Sequence, residues 1–289
     1  VKPAAFAYHR PDTLGEALEL LAAHGDEAQV LAGGQSLVPA MNMRFARPAR
    51  LIDVNRLDET TLAVDGDELV VGALVRQSDL ERSALVRDQV ALIARALPFV
   101  GHWQTRSRGT VCGSLAHADP SAELPVVATA LGARLECASV RGSRMLDAAA
   151  FFVAPFTTAL ADDELLLRVR FPMSGALDGY AFDEFAERHG DFAIVSAACA
   201  LRLAGDGTVA ALRVVLGGVG DVPFVVRTDA HVGRALDTGA IDELAVRASR
   251  EIAPFGDLRA SADYRRQLAG VFARRVLTAA LRDARREAA

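Results

Sequence analysis

Two short glycine-bearing runs carry the chemistry that can be read from this chain. The first, Ala32-Gly33-Gly34-Gln35-Ser36-Leu37, leaves the apolar run Ala28-Gln29-Val30-Leu31 and returns at once to apolar residues. A plain turn needs only one glycine. The second, Gly109-Thr110-Val111-Cys112-Gly113-Ser114, lies inside Arg106 to Pro125 and leads into a helix pattern opening at Asp119. Both runs offer main-chain N–H groups that no bulky Cβ hides. Concave sets of such amides bind phosphate oxygens without a lysine. Ser36, Thr110 and Ser114 add hydroxyl donors. Each run alone reads as an ordinary turn. Two of them, about eighty residues apart in a strand-and-helix region, point to a ligand with two phosphates.

Other chemistries fit less well. The chain has no Gly-Lys-Ser/Thr loop, which excludes a P-loop nucleotidase. Gly217-Gly218-Val219-Gly220-Asp221 follows a strand pattern, but Pro223 occupies the third glycine position of a dinucleotide fingerprint and no helix pattern follows, so it reads as a turn. The three cysteines, Cys112, Cys137 and Cys199, are too scattered for a disulfide framework, an iron–sulfur cluster or a structural zinc. No histidine spacing suggests a metal. Trp103 reads as core in preference to a platform for adenine. His117 reads as a structural histidine in preference to a flavin ligand. A net charge of -5, from 32 basic and 37 acidic residues, argues against a nucleic-acid partner. No uninterrupted apolar stretch is long enough to span a bilayer, and Val1 to Pro11 lacks the apolar core of a signal peptide, so a cytoplasmic protein is expected.

The elements that must position the two runs alternate. Thr13 to Gly25 predicts a helix with a capping box at Thr13 and Glu16, an apolar face of Leu14, Leu18, Leu21 and Ala22, and a left-handed exit at Gly25. Ala28 to Gly34 and Leu51 to Asn55 predict strands. Leu62 to Val75 predicts a hairpin around Asp65-Gly66-Asp67. Helices are expected over Gln89 to Gly101 and Asp119 to Ala133, the latter capped by Asp119, and strands over 133–146 and 164–172. Met173 to Gly179 reads as a flexible linker. Beyond it come strands over 179–187, 193–203 and 209–219, then helices over 242–252 and 263–287. The last helix turns Leu268, Val271, Phe272, Val276 and Leu277 to one side.

With these residues in view, the chain resembles the FAD-binding medium subunit of molybdenum hydroxylases, of the aerobic carbon monoxide dehydrogenase and xanthine dehydrogenase type. The likeness rests on the two glycine runs, on the following LAHADPSAELP, on KPAAFAYHRPDTLGEAL at the start, on ERHGDFAIVSAA, and on SADYRRQLAGVFARRVL. It implies an α+β fold: a two-lobed FAD-binding domain of the vanillyl-alcohol oxidase and MurB kind over 1–173, with lobes of about 1–57 and 58–173, then a smaller sheet-and-helix domain over 178–284. It implies that Ala32, Gly33, Gly34, Gln35, Ser36 and Leu37 wrap the FAD pyrophosphate from one lobe, and Gly109, Thr110, Val111, Gly113 and Ser114 from the other. Asp119 and Glu123 would reach ribityl or ribose hydroxyls. Leu166 and Phe192 would lie near the isoalloxazine ring. Two departures stand out: Cys112 where the family reads glycine, and Glu184, Glu187 and His189 where relatives often carry basic residues. Cys112 is expected to be a buried small residue.

The resemblance implies an oxidoreductase subunit that needs no catalytic acid or nucleophile of its own. Electrons would leave a molybdenum cofactor on a large subunit, cross [2Fe-2S] clusters on a small one, and reach an external acceptor through FAD on this chain. The partners imply a dimer of heterotrimers. The alternatives are a free-standing flavoenzyme with its own substrate site, and a scaffold that has lost FAD. The glycines at positions 33, 34, 109 and 113 speak against the scaffold.

Overall fold

A computed structural model describes residues 2–286 and divides the chain into three sheet-centred units. The first contains β1 (Ala7–His9), α1 (Leu14–His24), β2 (Ala28–Leu31), α2 (Leu37–Asn42) and β3 (Arg50–Asp53). Its parallel sheet has the order β1-β3-β2. Thr13 caps α1, its hydroxyl accepting from the Glu16 N–H at 3.2 Å, and Ala17, Leu18 and Leu21 bury the inner face. Ala22, expected on that face, is exposed. Gly25 is not left-handed (φ -51°). The position excludes a side chain for another reason: a Cβ there would lie 2.4 Å from the Asp162 carbonyl oxygen.

The second unit begins with the hairpin of β4 (Leu62–Asp65) and β5 (Glu68–Gly72), turning at Gly66 with φ +66°. Helices α3 (Gln77–Arg82), α4 (Ala84–Gln89), α5 (Ala91–Ala96), α6 (Trp103–Arg106), α7 (Val111–His117) and α8 (Glu123–Leu131) follow. Then come β6 (Arg134–Ser139), β7 (Gly142–Asp147), α9 (Ala148–Phe151), β8 (Phe152–Ala154), β9 (Thr157–Thr158) and β10 (Leu165–Pro172). The five-stranded antiparallel sheet has the order β4-β5-β10-β6-β7. Its central strand alternates little: Leu165, Leu166, Leu167, Val169 and Phe171 are all buried, as expected where both sheet faces are covered.

Three expectations for this unit need correction. The helix sought over Gln89 to Gly101 is only α5, preceded by the separate α4 and ended by a 3₁₀ turn at Leu97–Phe99. Asp119 does not cap α8. Ala118 takes a left-handed conformation, Asp119 accepts from the Ser121 N–H at 2.8 Å, and the helix starts at Glu123 behind Ala122. Trp103 is no core residue: it is 62% exposed at the start of α6.

The third unit is an antiparallel sheet β11-β12-β13-β14, made of β11 (Asp178–Phe185), β12 (Val195–Leu203), β13 (Val209–Gly217) and β14 (Phe224–Val226). One face is covered by α10 (Thr238–Glu251) and α11 (Ala262–Arg286). In α11, Leu268, Phe272, Val276 and Leu277 are buried while Val271 is 39% exposed, so the apolar side is narrower than expected. Its expected end at Glu287 lies outside the described residues. Among the described residues, no helix is long and apolar enough to cross a membrane.

The expected linker is pinned. The N–H groups of Met173 and Ser174 donate to the carbonyls of Asp67 and Gln89. Asp178 is buried, accepts from the Tyr180 hydroxyl at 2.8 Å, and takes a two-pronged contact from Arg202. Arg95 of α5 reaches Asp283 of α11 at 2.6 Å, and Asp283 also accepts from the Tyr180 N–H. Arg265, 1% exposed, donates to the carbonyls of Ile194 and Gly218 and to Asp257.

Gly179 sits where β11 meets α11: a Cβ would lie 2.0 Å from the Ala280 carbonyl oxygen and 2.6 Å from the Ala284 nitrogen. Both obstacles are backbone. Gly179→Ala is therefore expected to destabilise the chain by about 1–3 kcal/mol, the range for overpacking, read as a lower midpoint in urea unfolding. A midpoint equal to that of the unaltered chain would show that α11 does not lie this close to β11.

Candidate functional site

The two glycine runs meet backbone to backbone. A Cβ on Gly33 would stand 2.4 Å from the Arg108 carbonyl oxygen and 2.7 Å from the Gly109 Cα. Gly113 lies next to the first run, its Cβ position 3.9 Å from the Ala32 Cβ. Residues some eighty positions apart thus meet at one groove: Ala32, Gly33, Gly34 and Gln35 line it from the first run and Arg108, directly before the second run, from the other side, whereas Ser36, Leu37 and Gly109 to Ser114 are not among the residues that line it.

Each wall is shaped locally. After β2 the chain turns through Gly34, whose φ of +72° suits glycine, and enters α2. Among the described residues, the N–H groups of Gly33, Gly34, Gln35, Ser36 and Leu37 donate to no protein acceptor. Gln35 folds back on the Gly33 carbonyl at 3.1 Å, and the Ser36 side chain makes no cap. On the second wall Gly109 is held by its N–H on the Thr105 carbonyl and by its carbonyl on the Gln77 N–H. The Thr110 hydroxyl accepts from the Gly113 N–H at 3.0 Å and so caps α7. Cys112 is turned inward, 3% exposed, its sulfur toward the Val71 carbonyl, and burial pushes its thiol up into an inert state. Its side chain leaves the groove open.

Charge around the groove comes from arginine. Arg10, Arg76 and Arg108 line it, with Asp53 as counter-charge and Asn55 beside it. Arg76 is a latch: one nitrogen donates to the Arg108 carbonyl at 2.6 Å, another to the Asn55 Oδ1 at 2.7 Å. Asn55 in turn donates to the Ala32 carbonyl at 2.9 Å and to Asp53. One guanidinium thereby ties both glycine walls together. Burial, and then the charge of Arg108, pull its pKa below the ordinary value. Burial works against the charge of Asp53, yet hydrogen bonds from Tyr8 and Asn55 hold its carboxyl below the usual range. No sequence signal marked Arg10, Asp53, Asn55 or Arg76, because their partners are brought together only by folding: Arg10 and Asp53 meet within the first lobe, and Arg76 reaches Asn55 from the second. The features that fit a diphosphate are the bare backbone of the first run, its unused N–H donors and three cations.

The remaining candidates lie apart from the glycine walls. Asp119 follows α7, and Glu123 opens α8 at 4% exposure. Burial and then the charge of Asp119 push the Glu123 carboxyl up to about 7. Leu166 is in the core beneath α7, 3% exposed. Phe192 is half-exposed in the connection after β11. His117 rests against the Phe156 ring, centroids 5.2 Å apart, and burial lowers its pKa, so it is neutral there. Sequence reasoning noticed Glu184 only as a departure. Burial, then Glu123 and Asp183, push its carboxyl up to about 8, and its buried Oε2 has no partner.

Comparison with known proteins places these features in a group. Residues 4–174 match the family model described as "FAD binding domain in molybdopterin dehydrogenase", and residues 180–280 match "CO dehydrogenase flavoprotein C-terminal domain". The chain is 36% identical over 288 residues to the 6-hydroxypseudooxynicotine dehydrogenase complex subunit alpha of Paenarthrobacter nicotinovorans, covering 99% of this chain and 97% of that one. It is 34% identical over 283 residues to the carbon monoxide dehydrogenase medium chain of Hydrogenophaga pseudoflava, covering 96% and 98%. A solved structure of the carbon monoxide dehydrogenase from that organism superposes with a TM-score of 0.95 at 34% identity, over 98% of this chain and 99% of that one.

Two outcomes are expected. Gly33→Ala pushes the walls apart and lowers affinity for FAD at least tenfold, about 1.4 kcal/mol, in equilibrium titration of the flavin-free chain. Unaltered affinity would mean that this contact does not shape the groove. Glu123 and Glu184 have folded-state values above the ordinary 4.5, so their contribution to stability is full below about pH 4.5 and is lost as pH rises to about 8. The loss is at most about 1.4 kcal/mol per pH unit for each group. Urea unfolding of Glu184→Gln should show a flatter fall between about pH 5 and about pH 8 than the unaltered chain, and equal slopes would contradict the raised value.

Proposed function

As one of the FAD-binding medium subunits of molybdenum hydroxylases of the carbon monoxide dehydrogenase and xanthine dehydrogenase family, this chain is a flavoprotein part of an oxidoreductase, and we propose that it relays electrons from partner [2Fe-2S] clusters to an external acceptor. The observation that carries the reading is the backbone contact of Gly33 with Arg108 and Gly109, which makes one groove from two lobes. Bound FAD would supply the redox chemistry, since a flavin exchanges electrons singly with clusters and in pairs with other acceptors.

The chain's own residues bind and orient. The free N–H groups from Gly33 to Leu37 would take one side of the diphosphate, with Ala32 as the floor where that run leaves β2. The segment Gly109, Thr110, Val111, Gly113 and Ser114 would take the other at the start of α7, where backbone dipoles favour negative charge. Arg76 holds the walls in register and, with Arg10 and Arg108, would offset the diphosphate charge. Asp119 and Glu123 would meet ribityl or ribose hydroxyls. Leu166, in the core under α7, and Phe192, half-exposed, would flank the ring.

The molybdenum cofactor would sit on a large partner and the iron–sulfur clusters on a small one, in a cytoplasmic dimer of heterotrimers. The three cysteines here are buried and far apart in sequence, which suits clusters held elsewhere. Substrates named for relatives include caffeine and carbon monoxide. That breadth supports a substrate pocket outside this chain.

Co-purification tests the assignment. A tagged chain expressed with its native neighbours is expected to carry flavin absorbance and to bring with it a molybdenum-bearing chain and a cysteine-rich chain with [2Fe-2S] absorbance. A flavin-loaded chain that purifies alone and turns over a small-molecule substrate would instead establish a free-standing flavoenzyme.

A further inference from the structure

We propose that the groove between α10 and α11 is a docking site for an acidic segment of a partner chain. This rests on the reading of the chain as one subunit of a complex. It gives a role to the third unit, which contributes no residue to the groove at Gly33.

The groove is a cavity of about 420 Å³ where the start of α10 meets the C-terminal part of α11. Leu236, Ile241 and Leu281, all buried, close its bottom. Arg274, Thr278, Leu281 and Arg285 recur at four, three and four residues, so they share one face of α11, with Arg282 at its edge. From Arg274 to Arg285 that stripe is about 16 Å long, at about 1.5 Å per residue. The other side of α11 is already occupied. Ala280 and Ala284 pack on Gly179 of β11, and Asp283 holds Arg95 of α5.

The carboxylates of the groove are spent and two of its guanidiniums are not. Asp237 caps α10, accepting from the Ala240 N–H at 2.9 Å. Asp242 pairs with Arg274 across the two helices. Among the described residues, Arg282 and Arg285 pair with no carboxylate, and the N–H groups of Thr238 and Gly239 donate to no protein acceptor. The N-terminus of α10, a helix of 14 residues, adds partial positive charge. On a chain of net charge -5, this is a local cationic surface. Its charge complements an anionic partner and repels a basic one.

The strength of the contacts decides between a segment and a free ion. Arg282 and Arg285 are exposed. A single exposed guanidinium–carboxylate contact is weak and is screened by salt. A small anion would engage one or two such donors and gain little. A segment laid along α11 engages the whole stripe, and about five extended residues at about 3.3 Å each cover its length. Contacts made elsewhere by the same partner raise the effective concentration of the segment at the groove. Planar guanidiniums then take its carboxylates two-pronged.

The test uses the full chain, alone and in the complex formed by co-expression with its native neighbours. Phenylglyoxal labelling read by mass spectrometry is expected to modify Arg282 and Arg285 in the isolated chain. In the complex both should react at least about tenfold more slowly. The double variant Arg282→Glu with Arg285→Glu should keep the flavin content of the unaltered chain and recover partner chains at least about tenfold less well. Arg282→Lys with Arg285→Lys, which keeps the charge, should restore most of that recovery. Full flavin content separates lost docking from lost folding, because the groove at Gly33 lies outside the third unit. Equal labelling in the two states, or undiminished recovery with the Glu variant, overturns the proposal and leaves the subunit reading intact. Protection of the isolated chain by inorganic phosphate, with none in the complex, assigns the groove to a small anion and overturns it. Protection that grows with the concentration of the isolated chain assigns the groove to a second copy and also overturns it. An unaltered chain that purifies without any partner overturns the subunit reading itself, and the proposal with it.

Discussion

The contact on which the rest depends is the approach of Gly33 to the Arg108 carbonyl and the Gly109 Cα. No other residue type permits it, because any Cβ at position 33 would overlap main-chain atoms that cannot rotate away. The contact brings two lobes, each with its own sheet, to within one backbone thickness. Among the described residues, the N–H groups from Gly33 to Leu37 have no acceptor, and Gly33, Gly34 and Gln35 line the groove. A set of unspent donors in a partly buried groove is costly unless a ligand fills it. The geometry is that of a site completed by an anion.

Arginine, the nearly exclusive basic residue here, has a structural role that composition did not reveal. Arg76 reaches two acceptors on different lobes at once, which a lysine point charge could not do in one plane. Arg202 grips both oxygens of Asp178 at the domain junction, and Arg106 grips both of Glu81 beside the second glycine wall. Arg265 serves two carbonyls and a carboxylate from within the core. Each is a planar fork joining segments distant in sequence. The third unit is fastened to the second by two more arginines: Arg95 reaches Asp283 and the Tyr180 carbonyl, and Arg213 donates to the Thr129 carbonyl.

Much of this was legible beforehand, and for identifiable reasons. The helix behind Thr13, the Asp65-Gly66-Asp67 hairpin and the long amphipathic α11 follow from capping, turn chemistry and periodicity, which are local. The glycine runs were visible because bare backbone can be written only as glycine. The misread elements depended on non-local packing. The stretch over Gln89 to Gly101 broke into pieces to follow the surface it covers, and Trp103 was left outside. Asp119 was diverted from capping α8 into its own turn by the left-handed Ala118.

By itself, then, the amino-acid order determined the element types, the two exposed-backbone segments, the absence of clustered cysteines and the family pattern, because each is written in neighbouring residues. Only the tertiary structure decided that the two segments meet backbone to backbone, that Arg76 and Asn55 lock them, that Cys112 turns away, and that Glu184 pairs across the sheet with the unpartnered Ser196. Those facts are distances between residues tens to scores of positions apart, and such distances are set by how three sheets pack on one another.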